Sequence, residues 1–289
     1  MRARWIESLD LPELEPYRTL KRPLAHREQQ LFVVTNAKVV QRFLQSRFQV
    51  VSLLLTQEWL EQLRPLLEQR PEEEIPAFLG DKKLLETISG YSMHQGVLAV
   101  GRIPEQPTLA AVLAARPAPR LLAAVDGLNS AENLGALIRN CAAFGVHALL
   151  IGETTCDPFL RRSVSSSMGG IFQVPMIQSS NLAQTILDLR AQGIRCVAAH
   201  PHATGASLPD TCFPRDCLVV FGNEGDGISA RVLSACDAAV AVPMPPAVDS
   251  LNVVSAAAVF LYEINRQRGK LGRPGAPELN STRDGIETS

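Results

Sequence analysis

Repeated switching between strand-like and helix-like periodicity limits what this chain can fold into more than any other feature. In its C-terminal half, apolar runs that predict strands fall at residues 121–126, 147–151, 194–199, 218–221 and 238–242. Between and after them, 3.6-residue periodicity predicts helices at 133–144, 182–192, 229–236 and 251–268. Strands separated by helices predict a mainly parallel sheet covered on both faces, because a parallel connection needs a crossover of helix length. Ligands of such sheets bind in the loops at the carboxyl ends of the strands.

A shorter alternation precedes this one. Strands are predicted at 31–35, 48–56, 75–79 and 96–102, with helices at 37–45, 57–69 and 81–89, the last opened by Asp81 as a cap. Pro104, Pro107, Pro117 and Pro119 then punctuate the chain around a short Ala-rich helix. The fold class is therefore α/β. The division reads as an N-terminal arm at 1–27, a small α/β unit at 28–103, a linker at 104–119, a larger α/β unit at 120–270 and a disordered Gly, Pro and polar tail at 271–289.

Charge identifies no partner by itself, since the formal net charge of the 289 residues is −1. The basic parts are the two ends: residues 1–50 hold nine Lys or Arg against five acids, and Arg266, Arg268, Lys270 and Arg273 lie near the C-terminus. Either end serves a polyanion or is simply a solvated terminus. The six cysteines form no Cys-x-x-Cys pair and sit mostly in apolar runs, which reads as reduced buried thiols in a cytoplasmic protein. His200-Pro201-His202 near Cys196 lacks the second ligand pair a metal site needs, so no metal is expected. No membrane span and no signal peptide are expected, because no apolar run approaches the required length.

Three segments at strand ends carry the chemistry. In the first, Val125-Asp126 leads into a loop and a helix bearing Asn133, Gly135 and Arg139. Asn133 is placed to cap the helix, and Arg139, on an otherwise apolar helix, needs a phosphate or carboxylate partner. In the second, the strand ending at Phe221 runs into Gly222-Asn223-Glu224-Gly225-Asp226-Gly227. Three glycines in six residues allow positive φ and close approach of backbone to a ligand. In the third, Val242-Pro243-Met244-Pro245-Pro246 is a stiff loop, and Asp249-Ser250-Leu251-Asn252 opens a helix of small residues. A dinucleotide-binding Rossmann domain is disfavoured, because Gly127-Leu128-Asn129-Ser130-Ala131-Glu132 lacks Gly-x-Gly-x-x-Gly.

These segments resemble the motifs Asn-x-Gly-x-x-x-Arg, Gly-(Asn/Ala)-Glu-Gly-x-Gly and Pro-Met…Ser-Leu-Asn of the SpoU/TrmH branch of the SPOUT methyltransferases, in the family's order. Ser165-Ser166-Ser167-Met168-Gly169-Gly170 is a looser match to the family's Ser-x-Gly stretch. His94-Gln95-Gly96 resembles the trace of its ribosomal-protein-like substrate-binding domain. One departure is that Val33-Val34-Thr35-Asn36-Ala37 carries no Gly-rich or Glu-Gly segment before the first helix.

The resemblance implies a C-terminal trefoil-knot methyltransferase domain with a smaller N-terminal RNA-binding domain. It implies methylation of a ribose 2′-OH in RNA, with ribosomal RNA favoured over tRNA. S-adenosylmethionine is the implied methyl donor, held by Gly222, Val242, Met244 and Leu251. Arg139 is the implied catalytic group, orienting the oxygen or acting as base, with Asn133, Glu224, Ser250 and Asn252 positioning it and the RNA. A homodimer through the C-terminal domain is implied too. The residues add a motive: the helices at 251–262 and 133–144, the latter with Leu134, Leu137, Ile138, Ala142 and Phe144, are apolar on more than one side. The alternative reading is a catalytically silent RNA-binding or ribosome-assembly protein. Such a protein would be expected to lose Arg139, Glu224 or Asn252, and all three are present.

Overall fold

The computed structural model describes residues 2–20, 22–71, 74–89, 96–203, 205–213 and 215–269. Its elements in chain order are β1 (Arg2–Trp5), α1 (Glu15–Arg18), α2 (Pro23–Glu28), β2 (Leu31–Val34), α3 (Ala37–Leu44), β3 (Val50–Leu55), α4 (Gln57–Glu68), β4 (Pro76–Leu79), α5 (Lys82–Ser89), β5 (Val97–Arg102) and α6 (Leu109–Ala115). There follow β6 (Leu121–Val125), α7 (Ala131–Ala143), β7 (Ala148–Ile151), α8 (Arg161–Ser166), β8 (Met176–Gln178), α9 (Leu182–Ala191), β9 (Arg195–Ala199), β10 (Cys217–Phe221), α10 (Ala230–Ala235), β11 (Ala238–Val240) and α11 (Val253–Gln267).

The C-terminal sheet has the order β11-β9-β10-β6-β7-β8 with parallel pairing throughout. Every residue of β6, β7 and β10 is buried, as an unbroken apolar run covered on both faces requires. Alternation along each strand splits the core. Leu122, Ala124, Leu218 and Val220 pack under α6, α9 and α10, while Leu121, Ala123, Val219 and Phe221 face α7 and α11. Helix starts follow from local chemistry: Ser130, Asn181, Ser229 and Asn252 each accept a backbone N–H at the N-cap of α7, α9, α10 and α11. Strand β8 and helix α8 are absent from the sequence expectations, being too short to show a period.

The N-terminal sheet is mixed, with the order β1-β4-β3-β5-β2 and β5 antiparallel to both its neighbours. The segment expected to be an arm joins this sheet. Strand β1 pairs parallel with β4 at the edge, and Tyr17 is wholly buried with its hydroxyl 2.8 Å from Ser52 Oγ. A four-residue edge strand, Arg2-Ala3-Arg4-Trp5, exposed at every position, is too short for its alternation to announce it. The region expected to be a linker is docked as well, since Val112 of α6 packs in the core beneath the C-terminal sheet. His94, Gln95 and the expected tail at 271–289 lie outside the described residues.

The two sheets share one hydrophobic cluster. Phe43 stacks on Phe172 with ring centres 5.3 Å apart, Phe32 lies 5.4 Å from Phe159, and Phe48 meets Phe172 edge-on at 5.3 Å. Each well-packed aromatic pair adds about 0.5–1.5 kcal/mol beyond burial, so this seam holds the sheets in one arrangement. Among the described residues, no helix is long and apolar enough to cross a membrane.

All six cysteines are free, and Cys141, Cys196 and Cys217 are buried. Burial pushes the thiols of Cys141 and Cys236 up to about 12, and those of Cys156 and Cys217 up to about 11. These groups stay protonated and unreactive at neutral pH.

Candidate active site

The end of β6 is tied to the end of β10 before any functional group appears. Asp126 N donates to Phe221 O at 2.9 Å, and the buried Asp126 carboxylate accepts the Ser229 backbone N–H at 2.8 Å. Gly127 adopts φ +69, and its carbonyl accepts from Asn223 Nδ2 at 2.8 Å. The first and second motif loops are therefore one hydrogen-bonded unit.

Asn133 does not cap α7, contrary to the expectation. Ser130, three residues earlier, takes that role by accepting the Asn133 backbone N–H at 3.2 Å. That leaves the Asn133 amide free to donate to Glu224 Oε1, linking residues 91 apart in the chain. Gly135 serves packing: a Cβ there would lie 2.3 Å from the Ser163 carbonyl oxygen, so the glycine lets α7 and α8 cross closely.

The 222–227 loop is built by its own backbone. Asn223 and Gly227 exchange two hydrogen bonds of 3.0 Å, Gly227 has φ +70, and Asn223 Oδ1 accepts the Gly225 N–H at 2.7 Å. A Cβ on Gly222 would stand 2.3 Å from the Gly227 carbonyl carbon. The expected intolerance of this glycine thus has a different cause: the loop closes on itself at Gly222 before any ligand is considered.

The second and third motifs face a cleft of about 330 Å³ at the carboxyl ends of β9, β10 and β11. Gly222, Glu224, Val242, Met244, Ser250 and Leu251 all line it, as do Phe260 of α11 and the apolar Ile228 and Val240. Asn252 stands apart from the lining and caps α11, accepting Val254 N–H at 2.9 Å. The sequence reading weighed His200 and His202 only as metal ligands; both line the cleft, with His200 Nδ1 accepting the His202 backbone N–H at 3.1 Å. Their signal was positional: they directly follow a predicted strand end, where such sheets bind ligands. Among the described residues no group of three or more His, Cys, Asp or Glu is arranged to hold a metal ion.

Arg139 is not in this cleft. It is exposed on α7, makes no hydrogen bond or ion pair among the described residues, and lines a separate crevice between the two sheets. The structural ion pair that a lone arginine can signal is absent there. A single chain therefore brings together Asn133, Glu224 and the cofactor-type loops, and leaves Arg139 outside them.

Comparison with known proteins shows which family the chain resembles along its length. Residues 120–262 match the SpoU rRNA Methylase family, and residues 37–107 match the family described as RNA 2′-O ribose methyltransferase substrate binding. A protein of Mycobacterium tuberculosis named an uncharacterized tRNA/rRNA methyltransferase is 34% identical over 275 residues, spanning 92% of each chain. A crystal structure of an RNA 2′-O ribose methyltransferase is 27% identical and superposes with a TM-score of 0.73 over 92% of this chain and 99% of that one. The SpoU methyltransferase AviRb from Streptomyces viridochromogenes, in complex with AdoMet, shares the fold at a TM-score of 0.75 and 24% identity, over 91% of this chain and 100% of that one. With an all-parallel sheet, motif loops fused at their strand ends and a relative matched along nearly its whole length, the chain belongs to the SpoU family of RNA methyltransferases.

Proposed function

We propose that this enzyme transfers a methyl group from S-adenosylmethionine to a ribose 2′-OH, with ribosomal RNA favoured over tRNA as substrate. The observation that carries the reading is the cleft, lined by backbone of a self-closed glycine loop, by apolar side chains, and by polar groups that include Glu224, Asp249 and Ser250. A flat heterocycle with a ribose suits such a cleft: Val242, Met244 and Leu251 supply apolar contact, and backbone at Gly222 supplies hydrogen bonds. The bound cofactor would supply an electrophilic methyl on sulfur, a transfer that needs no Lewis acid.

The protein's own residues do the rest. Glu224, held by Asn133, and Ser250 would position the RNA ribose at the cleft mouth, and Asn252 would fix the start of α11. The poor nucleophile has to be aligned and its charge stabilised, and a guanidinium is suited to that work. Arg139 is the group proposed for it. Orientation of the oxygen is favoured over base action, because a guanidinium is protonated at every ordinary pH.

Arg139, exposed and without a hydrogen bond or ion pair among the described residues, supports a homodimer through the C-terminal domain, in which Arg139 of one chain completes the cleft of the other. Helix α11 and the segment before it provide a surface: Val259 and Tyr262 on the helix are 39% and 50% exposed, and Leu251 just ahead of it is 37% exposed. On α7, Leu134, Leu137 and Ile138 are wholly buried within the chain, while Ala142 and Phe144 are only partly covered. We further propose that residues 120–270 form the family's trefoil knot, that residues 28–103 present the RNA, and that the enzyme works in the cytoplasm, as its free thiols suggest.

The test is transfer of labelled methyl groups to ribosomal RNA and to tRNA, followed by nucleoside analysis. Label in 2′-O-methylnucleosides of ribosomal RNA is expected; label confined to bases or to tRNA would overturn the corresponding part. Sedimentation equilibrium reads the assembly, and mixed Arg139→Ala and Gly222→Val chains should regain activity if sites are shared.

A further inference from the structure

The crevice between the sheets is a second hollow, separate from the cofactor-type cleft, with Arg139 on its lining. It measures about 780 Å³, and its lining includes Arg42 and Arg47 from the N-terminal unit together with Arg139 from α7. No Asp or Glu is among its described lining residues. In a chain whose formal net charge is −1, three guanidinium groups converging without a carboxylate form a local positive field.

One arginine is fixed by its neighbours, and a second stands on braced backbone. Arg42 Nη1 donates to the Met168 carbonyl oxygen, a neutral acceptor that fixes the side chain and leaves its charge uncompensated. Met168 and Gly169 both have positive φ, +48 and +88, and a Cβ on Gly169 would meet Arg42 Cδ at 2.5 Å, so this turn is shaped to the arginine. Part of the Ser165–Gly170 stretch, a loose motif match in the sequence, thus lines the crevice, through Ser167, Met168, Gly169 and Gly170. Arg47 lies on a loop braced from behind: Arg70 donates to the carbonyls of Leu44, Ser46 and Phe48 at 3.0, 2.6 and 2.6 Å. Arg47 itself is exposed and makes no hydrogen bond or ion pair among the described residues.

We infer that this crevice is a binding site for phosphodiester groups of the substrate RNA, with Arg42 and Arg47 contacting successive backbone phosphates as the strand passes between the two units. Guanidinium forks match phosphate oxygens in pairs, and the fixed side chain of Arg42 spares the entropy of ordering it on binding. Gln45 and Gln173, also on the lining, offer neutral amide donors beside the charges. The inference rests on the RNA methyltransferase reading and adds where the backbone is gripped.

The test measures binding rather than turnover. Wild type, Arg47→Glu and Gln173→Glu are titrated against a labelled single-stranded RNA of mixed sequence and against purified ribosomal RNA over a range of salt, with S-adenosylmethionine affinity measured in parallel. Both side chains are exposed, so the variants should fold as wild type does. Arg47→Glu should weaken RNA binding about tenfold or more and flatten the slope of log affinity against log salt by roughly 0.7 for each phosphate no longer held. Gln173→Glu should weaken binding less, and cofactor affinity should not change in either. Wild-type RNA affinity and salt slope in both variants would overturn the crevice while leaving the methyltransferase reading intact. Failure of the wild-type protein to bind either RNA would overturn both.

Discussion

The cofactor-type cleft and the inter-sheet crevice are made of different materials. The cleft is backbone architecture: Gly222 against Gly227, the Asx turn at Asn223, and a proline-stiffened segment beyond Val242. The crevice is side-chain architecture, with three arginines from three distant segments brought together where two sheets pack. A backbone site should be intolerant of added atoms and indifferent to salt. A guanidinium site should tolerate shape changes and respond to charge. That contrast separates the cofactor's needs from the RNA's, and each variant below bears on one side of it.

Gly222→Val should have the largest effect, abolishing S-adenosylmethionine binding and with it all transfer, because the new Cβ would stand 2.3 Å from the Gly227 carbonyl carbon. Calorimetry on a variant with a wild-type melting curve reads this, and normal cofactor affinity would break the backbone half of the comparison. Arg139→Ala should lower the rate of methyl transfer by about 10²–10³-fold, the usual loss for one preorganised stabilising group, while cofactor affinity stays within a few-fold. Arg139→Lys should recover little, since an ammonium lacks the planar fork. Near-normal turnover in either variant would remove Arg139 from the chemistry.

Asn133→Ala should give an intermediate result. It deletes the link to Glu224 that joins the α7 segment to the cleft, an exposed hydrogen bond that adds little to stability. We expect kcat/KM to fall about tenfold with little change in melting temperature, and unaltered kinetics would mean that the link is incidental.

The smallest effect at neutral pH concerns Cys141, on the buried face of the helix whose outer face carries Arg139. Burial raises its thiol to about 12 from an ordinary 9.0. The unfolded chain therefore loses this proton first, and the stabilisation, complete below pH 9, is lost as pH rises toward 12 at about 1.4 kcal/mol per pH unit. Melting temperature should fall above pH 9, and Cys141→Ala should make that fall shallower. An identical alkaline profile in both proteins would show that the buried thiol is not the cause.

Much of this molecule could be read directly. The all-buried runs Leu121–Val125 and Cys217–Phe221 predicted a covered parallel sheet because burial on both faces demands apolar residues at every position. The glycines at 222 and 227 marked a loop of unusual backbone because positive φ and close approach exclude a Cβ. Both are demands made on one residue by its immediate surroundings, and they leave a trace in that residue's identity.

Other features became visible only in three dimensions. The pairing of β1 with β4 depends on a register between chain segments more than seventy residues apart, and four fully exposed residues are too few to reveal it. The role of Asn133 turned on competition: both Ser130 and Asn133 can cap a helix, and only the path of the loop decided that Ser130 does so and Asn133 reaches Glu224. The grouping of Arg42, Arg47 and Arg139 was likewise unreadable, since each is an ordinary exposed arginine in its own segment. Sequence determined which backbone is bent and which faces are buried, because those are local costs. The tertiary structure alone decided which charges share a hollow, because that follows from how Phe32, Phe43 and Phe48 seat one sheet against the phenylalanines of the other.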